Sequence, residues 1–260
     1  MQDLRVTLVQ SHLHWEDAAE NRALFATKFK DLKGATDLVV LPEMFTTGFT
    51  MRSAELAEGM DGRTVQWMRE QARAVDAALY GSVIIEDGGQ RYNRGLFVTP
   101  DGKVTTYDKR HLFRFAKETD HFTPGEGRVI VEWRGWRILL QICFDLRFPV
   151  FARNRGDYDA VLYVANWPEV RRYPWSQLLI ARAIENQCYV VGVNRVGQDG
   201  NGHLYSGDSA VIDPRGAVTA MEPSADGSLT STLDRKSLED FRCVFPVGME
   251  ADDFEIRGLQ

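Results

Sequence analysis

The chain has 260 residues, 44% of them apolar and 26% charged, an ordinary balance for a globular protein with a sizeable core. Acidic residues exceed basic ones by 37 to 31, and the net charge of −6 argues against a protein that binds a nucleic-acid backbone. No apolar run is long enough to span a membrane and the first residues lack the layout of a signal peptide, so we expect a cytoplasmic protein.

The predicted elements alternate between buried strands and amphipathic helices. Residues 4–10 suit a strand, and Asp17 with Glu20 forms a capping-box pattern at the start of the next helix. Further elements are predicted as strands at 37–41, 79–86, 91–98, 103–108, 128–133, 137–143, 158–164, 188–194 and 205–213 and as helices at 64–76, 149–154 and 174–187. This order predicts an α/β layered sandwich. We expect one domain over residues 1–260, with a C-terminal arm from about residue 238.

The three cysteines, Cys143, Cys188 and Cys243, are widely spaced and odd in number. This pattern is a poor disulfide framework, and it contains no Cys-x-x-Cys pair of the kind that binds zinc. Each thiol is therefore expected to be reduced, either as a small buried apolar side chain or as a nucleophile.

Three reactive side chains come directly after predicted buried strands. These are Glu43, Lys109 and Cys143. Ligand sites in α/β sheets gather beyond the carboxyl ends of the strands, so the three would lie near one another. Taken singly, each has an ordinary alternative, because a glutamate in a loop, a lysine in a charged turn and a cysteine in a core are all common.

The residues after Cys143 suggest a sharp exit from its strand into a helix. A thiol at a helix N-terminus has its thiolate stabilised by unpaired backbone N–H groups. The N–H of Phe144 would be well placed to bind an oxyanion.

Three motifs in sequence order carry a resemblance to a known family. They are Leu41-Pro42-Glu43, the segment 107–113 (Tyr-Asp-Lys-Arg-His-Leu-Phe) and the segment 142–149 (Ile-Cys-Phe-Asp-Leu-Arg-Phe-Pro). Together they resemble the nitrilase superfamily, or carbon–nitrogen hydrolases, whose catalytic set is Glu, Lys and Cys. The resemblance implies a four-layer α-β-β-α sandwich that assembles into homodimers or larger homo-oligomers, with the helix at 174–187 as a candidate interface or a core-facing outer layer.

The same resemblance implies roles for individual residues. Cys143 would be the nucleophile, Glu43 the general base and Lys109 a stabiliser of the tetrahedral oxyanion. Glu118 resembles a second glutamate that many members place near the nucleophile, with Glu126 as a competitor and an exposed loop acid as the alternative reading. The chemistry is acyl transfer through a thioester, and it needs no metal or organic cofactor.

Within the superfamily, the segment Ala165-Asn166-Trp167-Pro168 is similar to the omega-amidase branch. Its members hydrolyse the terminal amide of 2-oxoglutaramate and 2-oxosuccinamate, small molecules that end in a carboxylate. Asn166 and Trp167 would then face the site, although Trp167 also suits a core or an interface. Arg147 and Arg171 are the candidates for binding the substrate carboxylate.

Three alternatives remain open at this stage. A nitrilase or an N-carbamoyl amidohydrolase would use the same Glu–Lys–Cys set, and a non-catalytic binding protein would keep the fold alone. The cluster His12, His14 and Glu16 is the nearest approach to a metal-ligand set, but it reads more simply as a loop, so no metal is expected.

Overall fold

The computed structural model describes residues 2–221 and 223–256. The strands are β1 (Leu4–Gln10), β2 (Leu38–Val40), β3 (Ala78–Asp87), β4 (Gln90–Val98), β5 (Val104–Asp108), β6 (Val129–Trp133), β7 (Trp136–Ile142), β8 (Ala160–Ala165), β9 (Tyr189–Asn194), β10 (Val196–Gln198), β11 (Leu204–Ser206), β12 (Ala210–Ile212), β13 (Val218–Ala220) and β14 (Gly227–Leu233).

The α-helices are α1 (Ala18–Lys28), α2 (Ser53–Leu56), α3 (Arg63–Val75), α4 (Glu118–His121), α5 (Pro149–Ala152), α6 (Arg172–Asn186) and α7 (Arg235–Val244), and short 3-10 helices cover Arg114–Ala116, Cys143–Arg147, Glu169–Arg171 and Val247–Glu250. The predicted capping of α1 is confirmed, because Oδ1 of Asp17 accepts a 3.0 Å hydrogen bond from the backbone N–H of Glu20. Among the helices that the structure describes, none has the length and apolar character needed to cross a membrane.

Two six-stranded sheets form the centre of the molecule. One has the order β14-β1-β2-β3-β4-β5 and the other β13-β12-β9-β8-β7-β6. The strands β1, β2 and β3 are parallel in the first sheet, and β7, β8 and β9 are parallel in the second. Parallel strands need crossover connections, and the helices α1, α3 and α6 supply them.

The alternation of side chains along β2 shows why the two sheets stack. Leu38 and Val40 are buried between the sheets, in the same core as Ile138 of the second sheet. Val39 points the other way, into a second core that includes side chains of α1 and α3. A strand that is apolar on both faces must be covered on both, and each fully buried side chain of this kind contributes about 1.5 to 3 kcal/mol.

Helix α6 covers the outer face of the second sheet. Trp175, Leu179 and Ala183 are buried on its inner side. Gly192 in β9 permits the close approach, since a Cβ at this position would lie 2.6 Å from Cδ1 of Leu179. Together with α1 and α3 on the first sheet, this gives the predicted four-layer α-β-β-α sandwich.

The carboxyl-terminal part of the chain differs from the prediction. The single strand expected at 205–213 is two short strands, β11 and β12, which belong to different sheets. The strand β14 and the helix α7 were not predicted, and Leu238 of α7 is fully buried. Strand β14 alternates exposed Ser and Thr with half-buried residues, so it carries little apolar signal.

One domain with an arm remains a prediction, and residues 257–260 lie outside the described part.

Candidate active site

Glu43, Lys109 and Glu118 form a cluster with no exposed side-chain surface. The ammonium group of Lys109 lies 2.8 Å from Oε1 of Glu43 and 2.9 Å from Oε2 of Glu118. The ring of Phe49 lies 5.2 Å from the same ammonium group. The ammonium group can donate three hydrogen bonds, and it faces three carboxylate oxygens, one of Glu43 and two of Glu118.

The carboxylate of Glu43 is fixed by neighbours from both sheets. Its Oε1 accepts a 2.8 Å hydrogen bond from the side-chain amide of Asn93, and its Oε2 accepts one of 2.8 Å from the backbone N–H of Asn166. Oδ1 of Asn93 in turn accepts a hydrogen bond from Ser82, whose oxygen accepts one from the backbone N–H of Met44. Glu43 therefore has a single orientation in the site.

Glu118 joins the cluster through an unusual turn. Lys117 has φ of +60°, in the left-handed region, and this conformation turns the chain so that Glu118 points inward. The carboxylate accepts hydrogen bonds from Lys109 and, at 2.5 Å, from the backbone N–H of Phe113. The competing residue Glu126 is exposed. The structure thus brings Glu118, and not Glu126, to the lysine.

Charge and burial have opposite effects on the pKa of Lys109 in this cluster. Burial alone would lower the pKa of Lys109, but the carboxylates of Glu118 and Glu43 more than offset it, so that the pKa is raised. Burial raises the pKa of Glu118, with Lys109 acting against this and Glu43 adding to it. The lysine is therefore a permanent cation between two acids.

Cys143 lies at the sharp exit from β7. It begins the 3-10 helix Cys143–Arg147 with φ of +45°, a conformation that L-residues rarely adopt. Burial raises the pKa of its thiol well above the usual value, the charge of Glu43 adds to this, and Lys109 opposes it. Burial and the charge of Glu43 therefore favour the neutral thiol over the thiolate.

A cavity of about 540 Å³ opens above Cys143. All the residues predicted to bind substrate lie on its wall, namely Phe144, Arg147, Asn166 and Trp167, and Arg171 joins them. Asn166 donates from Nδ2 to the backbone oxygen of Glu43 at 2.5 Å, whereas its buried Oδ1 has no partner in the part of the chain that the structure describes. Asn166 thus joins the cavity wall to the backbone of Glu43 through its side-chain amide.

Trp167 is both a core residue and a wall of the cavity, two roles between which the sequence did not decide. Its ring packs against that of Trp175, with centroids 5.5 Å apart, and its Nε1 donates to the backbone oxygen of Arg171 at 2.7 Å. The same residue forms part of the cavity wall. It is therefore a core tryptophan with one surface turned toward the cavity.

Two guanidinium groups in the cavity wall rest on aromatic rings. Arg147 lies 5.2 Å from the ring centroid of Trp167, and Arg171 lies 5.4 Å from that of Phe113. Within residues 2–221 and 223–256, neither has an acidic partner. Arg52, at the same cavity, is paired with Glu16 and Glu55.

Sequence patterns missed several residues of the site. Asn93 lies inside β4, where a lone amide in a strand carries no local signal. The segment that includes Asp199, His203 and Tyr205 reaches the cavity from the second half of the chain. Only the pairing of distant strands brings these residues to Cys143.

The predicted loop at His12 and His14 contains no metal cluster. Among the residues described, no group of three or more His, Cys, Asp or Glu side chains is arranged to hold a metal ion. The two imidazole rings meet edge to face, with centroids 6.0 Å apart, and the backbone N–H of His12 donates to Asp226.

Comparison with known proteins identifies the family of this chain. The model of the carbon-nitrogen hydrolase family matches residues 5–242. The omega-amidase YafV of Escherichia coli (strain K12) is 47% identical over 257 residues, covering 98% of this chain and 100% of that protein. The 2-oxoglutaramate amidase of Bacillus subtilis (strain 168) is 33% identical over 216 residues, covering 81% and 83%.

A solved structure extends the likeness to three dimensions. XC1258 from Xanthomonas campestris, a CN-hydrolase superfamily protein with an arsenic adduct in its active site, superposes with a TM-score of 0.97 at 47% identity. The superposition covers 99% of this chain and 100% of that chain. The chain therefore belongs to the carbon–nitrogen hydrolase family of the nitrilase superfamily and is an enzyme that hydrolyses carbon–nitrogen bonds.

Proposed function

We propose that the protein hydrolyses the terminal amide of small carboxylate-bearing omega-amides, such as 2-oxoglutaramate and 2-oxosuccinamate, and releases ammonia. One observation carries this proposal: a single cavity contains the Cys143 thiol and the unpaired cations Arg147 and Arg171. The names of the relatives from Escherichia coli and Bacillus subtilis support the same substrate class.

The two ends of such a substrate match the two kinds of group in the cavity. A carboxylate is bound best by guanidinium donors, and Arg147 and Arg171 have no competing acid among the residues that the structure describes. At the other end, the amide carbon would face the thiol of Cys143, which lies on the same cavity wall. Trp167 would form an apolar wall along the short carbon chain.

The first half of the reaction forms a thioester. Glu43 accepts the thiol proton, and Sγ of Cys143 attacks the amide carbon. The oxyanion is stabilised by the positive charge of the Lys109 ammonium group and by the backbone N–H of Phe144. Glu43 passes the proton to the amide nitrogen, the C–N bond breaks and ammonia leaves. The raised pKa of Cys143 makes this base necessary, because the resting thiol keeps its proton.

The second half hydrolyses the thioester. Glu43 takes a proton from water, the resulting hydroxide attacks the thioester carbon, and the same donors bind the second oxyanion. The C–S bond then breaks and the sulfur recovers its proton, so the products are a dicarboxylate and the free thiol. Glu118 does not exchange protons in this scheme. It holds Lys109 in place through hydrogen bonds of 2.9 and 3.0 Å.

The test is ammonia release from 2-oxoglutaramate, 2-oxosuccinamate, glutamine, an N-carbamoyl amino acid and a simple nitrile, with Cys143→Ser beside the wild type. We expect fast turnover of the two oxo-amides and none in the variant. Preference for the nitrile or the N-carbamoyl compound would replace the substrate and keep the site. Absence of turnover with every compound would contradict the proposed substrate class and leave the family assignment unchanged.

The two arginines offer a sharper test of the substrate class. Arg147→Met and Arg171→Met each remove one carboxylate partner and keep a long apolar stem over the ring. We expect each to raise KM for 2-oxoglutaramate about 10- to 100-fold, as for loss of a charged hydrogen bond, with little change for a neutral amide. Arg155→Met is the matched control, since Arg155 lies on the ring of Phe254, away from the cavity. Equal losses on the charged and neutral amides would contradict this role.

We also propose a cytoplasmic homodimer or larger homo-oligomer that uses the outer side of α6. Along this helix Trp175 and Leu179 face the core, whereas Ile184 is half exposed and Tyr173 is largely exposed. Ile184→Asp should then reduce the mass measured by light scattering after size-exclusion chromatography. A monomeric wild-type protein would overturn the proposal.

A further inference from the structure

Asp145 is a fully buried carboxylate with an unusual number of donors. Its Oδ2 accepts a 2.7 Å hydrogen bond from the hydroxyl of Tyr107 and one of 3.0 Å from the backbone N–H of Ile142. Its Oδ1 accepts from the backbone N–H of His111 at 3.0 Å and from Nδ1 of the same residue at 2.8 Å. In the part of the chain that is described, its only ion-pair partner is His111. The charge is therefore stabilised almost entirely by directed hydrogen bonds.

The residues that donate to Asp145 lie close to Lys109 and Cys143 in the sequence. Tyr107 lies two residues before Lys109 and His111 two residues after it. The remaining donor, the backbone N–H of residue 142, belongs to the residue directly before Cys143. One carboxylate therefore joins the strand that carries the lysine to the turn that carries the nucleophile.

The ring of His111 is held so that its donor faces Asp145. A carboxylate only accepts hydrogen bonds, so Nδ1 of His111 must carry the hydrogen. The imidazole stacks on the ring of Phe148, with centroids 3.7 Å apart and planes inclined by 7°, and meets Phe151 edge to face at 5.2 Å. Packing thus sets the plane of the ring, and the hydrogen bond sets its rotation.

The turn at Cys143 needs such support. Its φ of +45° is sterically unfavourable for a residue with a side chain. Strained conformations of this kind persist only where the surroundings hold them. Asp145, two residues further on, accepts the N–H directly before the strained residue and so closes the turn.

We propose that Asp145 and His111 are positioning residues of the hydrolysis, which set the distance between the Cys143 thiol and the Lys109 ammonium group. Neither needs to touch the substrate. Their effect would appear in kcat, because attack geometry tolerates little displacement, while KM reflects the distant part of the cavity. The proposal rests on the hydrolase activity of the family and not on the particular amide.

Two substitutions of His111 separate hydrogen bonding from packing. His111→Phe keeps an aromatic ring against Phe148 and loses the side-chain donor. His111→Asn loses the ring and retains an N–H near the position of Nδ1. We expect His111→Phe to lower kcat about 30-fold with KM changed less than threefold, and His111→Asn to recover most of that loss. The assay uses whichever amide the wild-type protein hydrolyses fastest.

A second readout does not depend on any amide. The rate at which iodoacetamide alkylates Cys143, followed by peptide mass spectrometry, should fall about tenfold in His111→Phe and recover in His111→Asn. If His111→Phe does not fold, Tyr107→Phe decides the question, because it removes one donor to Asp145 and keeps the ring. We expect that variant to lose about tenfold in kcat.

The opposite pattern would overturn the proposal. If His111→Phe keeps wild-type kcat while His111→Asn loses it, the ring contributes packing and the hydrogen bond does not matter. Equal losses in both variants, together with an unaffected Tyr107→Phe, would likewise assign His111 a purely structural role. Failure of every omega-amide as a substrate, with the alkylation pattern intact, would refute the proposed function and leave this inference standing.

Discussion

The ammonium group of Lys109 donates a 2.8 Å hydrogen bond to Oε1 of Glu43, and neither side chain has any exposed surface. On its other side the same group binds both carboxylate oxygens of Glu118. One buried cation therefore serves two buried acids. Each ion would be costly to bury alone, so the cluster holds together only as a set.

Substitution of Lys109 should lower both the stability of the fold and the rate of turnover. Lys109→Met leaves the carboxylates of Glu43 and Glu118 buried without their partner, and we expect it to cost about 3 to 5 kcal/mol in the free energy of unfolding. Turnover should fall about 10²- to 10³-fold with the loss of an oxyanion donor. Denaturant unfolding and steady-state kinetics measure the two effects.

The loss of stability in Lys109→Met relative to the wild type should depend on pH. Burial already raises the pKa of Glu118 while the charge of Lys109 acts against this, so loss of the lysine should raise that pKa further and the folded state should bind more protons. The deficit of Lys109→Met should then be smaller at pH ~5 than at pH ~8. Lys103→Met, at an exposed position, is the control and should change neither stability nor rate. A deficit that is constant with pH would show that the acids are not buried as a pair.

Cys143→Ser should abolish turnover while the protein remains folded. A hydroxyl is similar in size to a thiol but is a much poorer nucleophile, so we expect a loss of more than ~10³-fold. Ammonia release measures the rate, and circular dichroism checks the fold. Cys243→Ser is the matched control, since Cys243 is exposed on α7. Wild-type activity in Cys143→Ser would remove the nucleophile assignment.

The variant Glu43→Gln should make the Cys143 thiol more acidic and yet lower the rate of turnover. Burial raises the pKa of Cys143, and the negative charge of Glu43 raises it further, so the neutral amide should lower this pKa. Alkylation of Cys143 by iodoacetamide, followed against pH, should therefore reach its plateau at lower pH in the variant. Turnover should nevertheless fall about 10³-fold, because no base then carries the proton to the leaving nitrogen.

Glu126→Gln provides the comparison for this experiment. Glu126 is exposed, and its backbone oxygen, not its side chain, accepts from Arg110. Its substitution should change neither the alkylation profile nor the rate. If Glu43→Gln left the alkylation profile where it is in the wild type, the charge of Glu43 would not act on the thiol.

Asp159 should make the fold sensitive to acid. Burial would raise its pKa, but hydrogen bonds and charge from Arg137, together with the charge of Arg235, lower it to about 2. A carboxyl with a depressed folded-state pKa stabilises the fold above its ordinary value of 3.8, and this contribution is lost as the pH falls toward 2. After allowance for solvent around the arginines, we expect about 1 kcal/mol.

The variant Asp159→Asn isolates that contribution. Its free energy of unfolding should be lower than that of the wild type at pH ~7 and should fall less steeply between pH ~4 and ~2. Chemical denaturation at a series of pH values measures both slopes. Parallel curves for the two proteins would mean that Asp159 titrates normally in the folded state.

Helices and strands that depend on short runs of neighbouring residues could be predicted from the sequence. The apolar run before Glu43 and the capping pair Asp17 and Glu20 both correspond to the observed structure. Strand β14 and helix α7 escaped prediction because their stability comes from distant partners: β14 pairs with β1 along its whole length, and Leu238 is buried in the central core.

For the site, the sequence by itself determined which residue types are present and that Glu43, Lys109 and Cys143 follow strand ends. The tertiary structure decided which acids meet the lysine, since Glu118 arrives through the left-handed turn at Lys117 and Asn93 from inside a strand. It also decided the state of the Cys143 thiol, because the desolvation that raises its pKa depends on both stacked sheets. Short-range spacing encodes strands and helices, whereas burial and charge depend on residues far apart in the chain.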